Sequence, residues 1–160
     1  MLFTSPDPAA DPYYARILLD LQKAAYAVEA QLLGDDRIPP LKETLVGIAA
    51  WRGHWIVAWD GVQLLGAVAW DDQGDRLEID RLMVAPSAHR RGVGSALVQR
   101  VIGAADRRPI HTATGRDNPP AIRIYEKHGF EAVGDEEVPP GIWITRLRLA
   151  GRAMARFMPA

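Results

Sequence analysis

The segment LEIDRLMVAPSAHRRGVG, residues 77–94, constrains the fold more than any other part of the sequence. Its first half favours a strand, and Pro86 ends that strand because proline has no N–H to give to a sheet. Gly92 and Gly94 follow in a loop, after which apolar residues recur at helical spacing. The sequence therefore predicts a strand that leads through a glycine loop into a helix.

This glycine loop has the properties of an anion-binding site. The first N–H groups of a helix have no partner inside it, and the helix dipole attracts negative charge. Arg90 and Arg91 add positive charge beside the glycines. A P-loop would require a lysine after the last glycine, and a dinucleotide fingerprint would require glycine or alanine where Leu97 stands. The loop is thus predicted to bind a diphosphate, the alternative being a helix-capping turn with solvated arginines.

The rest of the chain shows alternating helical and strand patterns. Asp60-Gly61 is a strong hairpin signal and places two strands of an antiparallel meander around it. The predicted strands cover 55–59, 62–70, 77–84, 110–114, 130–133 and 142–149. The predicted helices cover 13–33, a short segment from 41, the segment after Gly94, the segment from Pro119 or Pro120 to Gly129, and the tail 150–160. This order predicts an α+β fold, a mixed sheet with helices on its faces.

Composition limits the classes of function. The 160 residues fit one domain spanning 1–160, with 1–12 loosely ordered. Cysteine is absent and the four histidines lack metal-binding spacing, so we expect no disulfide and no metal site. The net charge of -1 argues against nucleic acid and anionic membranes as partners. We expect a cytoplasmic protein without a signal peptide or a membrane span.

Three motifs, in the order in which they follow one another along the chain, resemble those of the GNAT superfamily of acyl-CoA-dependent N-acetyltransferases. They are LMVAP, RRGVGSAL and N-x-x-A-x-x-x-Y-x-x-x-G-F, and the resemblance covers roughly residues 64–149. It implies a central, mostly antiparallel twisted sheet of six to seven strands flanked by about four helices. It also implies acetyl-CoA as co-substrate and a primary amine, on a small molecule or a peptide, as acceptor.

The resemblance assigns cofactor contacts to three places. Backbone amides of residues 90–95 would hold the pyrophosphate, and the strand before the loop would pair with the pantetheine arm. Tyr125 matches the family tyrosine near the CoA sulfur, and Asn118 matches the asparagine that caps the following helix. The family usually has Gln or Arg where this chain has His89. The implied cofactor-binding residues are Leu82, Met83, Val84, His89, Arg90, Arg91, Gly92, Val93, Gly94, Ser95, Asn118 and Tyr125. Tyr125 could instead fill the core, and Asn118 could be a cap only.

Direct transfer requires a neutral amine, and a carboxylate is the natural base. An amine with a pKa of about 10.4 is mostly protonated at pH 7, so exposing its lone pair costs roughly 4–5 kcal/mol. Glu78 resembles the catalytic glutamate of histone-acetylating members, and Asp80 shares its strand face. The catalytic candidates are therefore Tyr125, Glu78 and Asp80, although both carboxylates could be solvated or paired with Arg81 or Arg148. The substrate-binding candidates are Tyr26, Glu29, Asp36 and Trp143.

Two other functions stay open on the sequence. The domain could bind acyl-CoA without turnover, or it could transfer another acyl group or acylate an oxygen. The arginine-rich stretch ITRLRLAGRAMAR is a candidate homodimer contact, since the overall charge does not favour nucleic acid.

Overall fold

The computed structural model describes residues 1–153, which form a seven-stranded sheet with four α-helices. The elements in chain order are β1 (Leu2–Thr4), α1 (Pro12–Leu33), α2 (Leu45–Ala50), β2 (His54–Asp60), β3 (Gln63–Asp72), β4 (Leu77–Val84), α3 (Val93–Ala104), β5 (Ile110–Gly115), α4 (Pro119–Lys127), β6 (Glu131–Val138) and β7 (Ile142–Leu149). Two 3₁₀ helices, Pro39–Lys42 and Pro86–Ala88, lie in the connections. The α+β class predicted from the sequence is confirmed.

The strands lie in the order β1-β2-β3-β4-β5-β7-β6, and only β4 and β5 are parallel. These two strands pair at Leu77 with Ile110 and at Glu78 with His111, and at no later position in the described residues. β4 then continues to Val84 while β5 continues to Gly115. The strands therefore separate towards their carboxyl ends and leave a cleft in the sheet.

A β-bulge in β4 lies at the start of this cleft. Trp70 of β3 pairs with Ile79, and Ala69 pairs with Arg81, so Asp80 is an extra residue without a partner in β3. A bulge of this kind bends the strand and redirects the following side chains. Ile79 packs against the core beneath α3 before the bulge, and Leu82 packs there after it.

Two apolar cores hold the helices on opposite faces of the sheet. One lies under α3 and α4 and includes Val93, Leu97 and Phe130. The other lies under α1 and α2 and includes Leu18 and Ile48, both fully buried. None of the helices in the described part of the chain has the length and apolar character needed to cross a membrane.

Local signals define the ends of α1, which begins one residue before the predicted start and ends at the predicted residue. The Asp11 carboxylate accepts a hydrogen bond from the N–H of Tyr13 at 3.0 Å, and Pro12 fits the first turn, where its missing N–H has no consequence. Gly34 ends the helix with φ at +67°, the left-handed conformation that glycine adopts without strain.

Four segments differ from the sequence predictions. Leu2–Thr4, expected to be loosely ordered, pairs with β2 as an edge strand. Its three residues are too few to show the alternation of apolar and polar side chains that predicts a strand. The second helix was predicted from Leu41, but a 3₁₀ helix precedes it and α2 begins at Leu45. β6 extends to Val138 as an exposed strand because its backbone pairs with β7, although its side chains show no alternation. Residues 150–153 are not helical, and the rest of the predicted tail helix lies outside the described residues.

Two glycine substitutions test how closely α3 packs on the sheet. A Cβ at Gly66 in β3 would lie 2.6 Å from the carbonyl oxygen of Met83 and 2.9 Å from Val93 Cγ1. Gly66→Ala is therefore expected to lower the free energy of unfolding by about 1–3 kcal/mol. A Cβ at Gly103 in α3 would meet no atom of the described residues within 4 Å. Gly103→Ala is therefore expected to raise the free energy of unfolding by roughly 0.5–1 kcal/mol. Urea unfolding of both variants measures this difference, and equal effects would contradict the close packing.

Candidate active site

The cleft between β4 and β5 opens into a cavity of about 200 Å³. At its closed end the Thr112 hydroxyl donates a hydrogen bond to the Ile79 carbonyl at 3.3 Å, across the point where the strands separate. The volume is below the roughly 300–1,000 Å³ of typical ligand pockets. The cavity therefore suits a small ligand or the reacting end of a larger one. Its lining residues include Tyr26, Glu29, Asp80, Arg81, Leu82, Thr112, Thr114 and Tyr125.

Tyr125 projects from α4 into the wall of this cavity. The Asn118 side chain caps α4 by accepting from the N–H of Ala121 at 3.3 Å, and two prolines follow the cap. The Tyr125 ring packs on Phe130 with centroids 5.2 Å apart and is 3% exposed. Burial raises the pKa of Tyr125 to about 12; the neighbouring Thr112 hydroxyl opposes this shift, and the Glu29 charge adds to it. The phenol therefore keeps its proton at any physiological pH.

The glycine loop presents the N-terminus of α3 to solvent. Gly92 is the N-cap residue, with φ at +75°, and no side chain accepts a hydrogen bond from the first turn. Arg90 also has a positive φ, +63°, which is uncommon for a residue with a Cβ. Open space surrounds the position that a Cβ on Gly92 would occupy. These uncapped N–H groups, beside the exposed Arg90 and Arg91, suit a phosphate-bearing ligand.

A hydrogen bond links this loop to the end of α4. Ser95 Oγ lies 2.7 Å from His128 Nε2. Burial lowers the pKa of His128, and the charge of Lys127 lowers it further. The imidazole is therefore mostly neutral at pH 7, and the hydrogen bond joins its Nε2 to the Ser95 hydroxyl. His128 was not among the predicted site residues, because its only signal in the sequence is a position next to Gly129, which follows the end of α4.

The carboxylates near the cleft have different partners. Glu29 of α1 lines the Tyr125 cavity and accepts from the N–H of Gly115 at 3.2 Å. Asp80 also lines this cavity, but it accepts from Arg81 Nε at 2.6 Å. Glu78 lines a neighbouring cavity of about 370 Å³ and accepts from Arg76 at 3.1 Å. The structure thus brings Glu29 and Asp80, and not Glu78, into the same cavity as Tyr125.

Arg81 joins the bulge of β4 to the wall of the cavity. Its guanidinium lies between the bulge and α1 and donates to Gln22 Oε1 at 2.8 Å. It also lies over the rings of Trp51 and Trp55, 5.3 and 5.4 Å from their centroids. Gln22 in turn donates to the carbonyl of Pro40, which lines the cavity, at 3.0 Å. This buried network could not be read from the sequence, where Gln22 is one more polar residue of a helix.

The other predicted residues divide between the cavity and the surface. Tyr26 lines the cavity, and its pKa is raised above the ordinary value, mainly by burial and then by Glu29. Leu82 lines it too, whereas Met83 is fully buried under α1. Asp36 is exposed in the loop after α1. Trp143 is exposed on β7 beneath the Arg116 guanidinium, and neither it nor Asp36 lines the cavity.

Known proteins resemble this chain in sequence. A family model described as Acetyltransferase (GNAT) family matches residues 16–130. The UPF0157 protein YqkA of Bacillus subtilis is 31% identical over 136 residues, which are 84% of this chain and 40% of YqkA. The chain thus spans about two fifths of that relative's length. The N-alpha-acetyltransferase RimI of Mycobacterium tuberculosis is 29% identical over 120 residues, which are 72% of this chain and 75% of RimI.

The fold also matches solved structures. One is the Salmonella typhimurium protein yncA, determined with its cofactor acetyl-CoA. It superposes on 100% of this chain and 99% of its own with a TM-score of 0.71 at 16% identity. At that level of identity the likeness shows a shared fold.

Replacing the buried arginine tests the network around the bulge. Arg81→Met leaves the buried Gln22 side chain without its donor and is expected to lower the free energy of unfolding by about 1–3 kcal/mol. Arg76→Met, directly before β4, removes a more exposed ion pair with Glu78 and is expected to cost less than about 1 kcal/mol. Urea unfolding compares the two variants, and similar losses would show that Arg81 has no special structural role.

Proposed function

The chain belongs to the GNAT family of acetyltransferases, and we propose that it moves an acetyl group from acetyl-CoA to the nitrogen of a primary amine. The observation that carries the proposal is the cleft between β4 and β5, where buried Tyr125 and two carboxylates line one cavity. RimI, a relative in sequence, is an N-alpha-acetyltransferase. A protein of the same fold was solved with acetyl-CoA.

The residues around the cleft fit acetyl-CoA. The uncapped first turn of α3, residues 93–95, offers N–H groups to the pyrophosphate, and Arg90 and Arg91 add charge. Beyond Glu78 the backbone of β4 has no partner in β5, so residues 82–84 are left to pair with the amide groups of the pantetheine arm. The acetyl thioester would then reach the cavity beside Tyr125.

The transfer itself needs a nucleophile and a stabilised leaving group. The amine nitrogen attacks the thioester carbonyl carbon, so that a C–N bond forms and the C–S bond breaks. The electron pair of the broken bond goes to sulfur. One proton of the ammonium is removed before the attack, and a second N–H proton passes through solvent to the thiolate. The products are the acetamide and free CoA.

Tyr125 acts on the leaving sulfur mainly through a hydrogen bond. Its pKa is raised to about 12. Full proton transfer to a thiolate with a pKa near 8.5 would then be uphill by about 5 kcal/mol. A phenol that stays protonated can still donate a charge-assisted hydrogen bond to the sulfur as negative charge develops. The burial that raises the pKa therefore keeps the donor available.

Two carboxylates near the cleft were predicted as the base. Glu78 and Asp80 remain predictions from the sequence, and each already has a guanidinium partner, Arg76 and Arg81 respectively. A cytoplasmic location and a homodimer contact near the C-terminus also remain proposals.

The glycine loop gives the first test of the cofactor. Gly92→Glu places a carboxylate where the pyrophosphate would bind and is expected to weaken acetyl-CoA binding at least tenfold in calorimetric titration, since one lost charged contact changes binding by about 1.5–3 kcal/mol. Gly74→Glu is the matched control, because Gly74 also has a positive φ, +88°, with no atom within 4 Å. Equal binding by both variants, or no binding by the wild type, would contradict the proposal.

Tyr125→Phe tests turnover against binding alone. The ring and its packing on Phe130 stay, but the hydroxyl is lost. Removal of a hydrogen bond to a charged group is expected to lower kcat about 10- to 100-fold with acetyl-CoA affinity unchanged. Release of CoA thiol measures the rate, and Tyr13→Phe on the surface of α1 is the control. Unchanged kcat would exclude Tyr125 from the chemistry, and binding without any turnover would favour the non-catalytic alternative.

A further inference from the structure

We propose that the acceptor is a monoamine with an apolar substituent and that Glu29 takes the proton from its ammonium group. This inference rests on the proposed acetyl transfer and adds to it the chemical class of the acceptor and the identity of the base. Three observations carry it: the hydrogen bonds that orient Glu29, the charge balance of the Tyr125 cavity, and the apolar side chains that close the cavity.

Glu29 is held in place while one of its oxygens stays available. Oε1 accepts from the N–H of Gly115 at 3.2 Å and from the Thr114 hydroxyl at 3.4 Å. Oε2 accepts no hydrogen bond from the residues that the structure describes, and no cationic side chain among them lies within 4.0 Å of the carboxylate. Glu29 is half-buried and its charge contributes to the raised pKa of both Tyr26 and Tyr125. A carboxylate so placed can accept a proton beside the leaving-group donor.

The charges around the cavity fit one cation. Glu29 and Asp80 are its carboxylates and Arg81 is its guanidinium, which leaves one net negative charge among the lining residues. Arg81 already neutralises Asp80, so that charge belongs to Glu29. Among the residues that line the Tyr125 cavity there is no second uncompensated carboxylate to hold a second ammonium group. The site therefore favours a monoamine over a diamine or polyamine.

The far wall of the cavity is apolar. It is formed by the turn after α1 and by the facing ends of β6 and β7, and its side chains include Ile38, Val138, Ile142 and Ile144. Ile38 and Ile142 are buried and pack together in one cluster, to which Val138 adds. An apolar group on the amine would complete this contact. Each methylene buried there is expected to raise kcat/KM about fourfold.

The proton balance of the step is simple. The ammonium N–H bond breaks, its proton moves to Glu29 Oε2 only on its way to solvent, and the lone pair left on nitrogen attacks the thioester carbon. Glu29 then releases its proton to solvent, which restores the carboxylate for the next turnover. No further reactant is required.

An amine panel tests the acceptor class on the wild-type protein. Isoamylamine, ethanolamine and 1,4-diaminobutane share the primary amine and differ in the rest of the molecule. We expect kcat/KM, followed by CoA thiol release, to be at least tenfold higher for isoamylamine than for the other two. Preference for the diamine or for ethanolamine would overturn the acceptor class. Binding of acetyl-CoA without acetylation of any of the three amines would also overturn the acceptor class. Failure to bind acetyl-CoA would instead overturn the proposed function.

Glu29→Gln tests the base while keeping the oxygen that Gly115 and Thr114 bind. At pH 7 the variant is expected to lose about 100-fold or more in kcat/KM for isoamylamine, with unchanged acetyl-CoA affinity. The loss should shrink as the pH approaches the amine pKa of about 10.4, because a neutral amine needs no base. A loss that is the same at every pH would indicate a structural role and overturn the assignment.

Two further variants sharpen this test. Glu126→Gln, exposed on α4, is the matched control and should behave like the wild type. Glu78→Gln tests the competing base. If Glu78→Gln showed a pH-dependent loss of kcat/KM and Glu29→Gln did not, the inference would be overturned. Val138→Asp adds a carboxylate to the apolar wall and is expected to shift the preference towards 1,4-diaminobutane by about tenfold or more.

Discussion

The separation of β4 from β5 after two paired positions is the constraint on which the site depends. A parallel pair that continued its ladder would leave no room between the strands. Three features accompany the opening: the bulge at Asp80, the single side-chain link from Thr112 to Ile79, and the entry of Tyr125 from α4. The apolar cores on both faces of the sheet stabilise this interrupted arrangement, because each face is covered by helices independently of the cleft.

The two faces contribute different chemistry to the cavity. The side of α3 and α4 supplies uncharged hydrogen-bond donors, namely a helix N-terminus and a buried phenol. The side of α1 supplies charge, with Glu29 oriented by the backbone of β5 and Arg81 placed against Gln22. In the proposed transfer, donor groups would face the phosphate and the leaving sulfur, and the one uncompensated carboxylate of the cavity would face the amine. This division separates the task of holding one substrate from that of activating the other.

Sequence reasoning predicted the parts that have local signals. The glycine loop, the Asn118 cap, Tyr125, the meander and the bounds of α1 all follow from short-range patterns, and they define the fold and half of the site. The rest depends on register and long-range contact. The bulge at Asp80 follows from how β3 and β4 pair, and Glu29 reaches Gly115 across 86 residues of chain. Glu78, the carboxylate predicted as the base, lines the neighbouring cavity. That position too depends on how the strands pair and not on a local signal.

The exposed strand β6 has a consequence for the solution behaviour of the protein. It is one of the two edges of the described sheet and carries the carboxylates Glu131, Asp135, Glu136 and Glu137. A register shift between Ala132 and Gly134 also disturbs its pairing pattern with β7. A second copy aligning its own β6 would bring like charges together along an irregular edge, which disfavours extension of the sheet from molecule to molecule. The acidity of this strand therefore protects the protein against edge-to-edge aggregation.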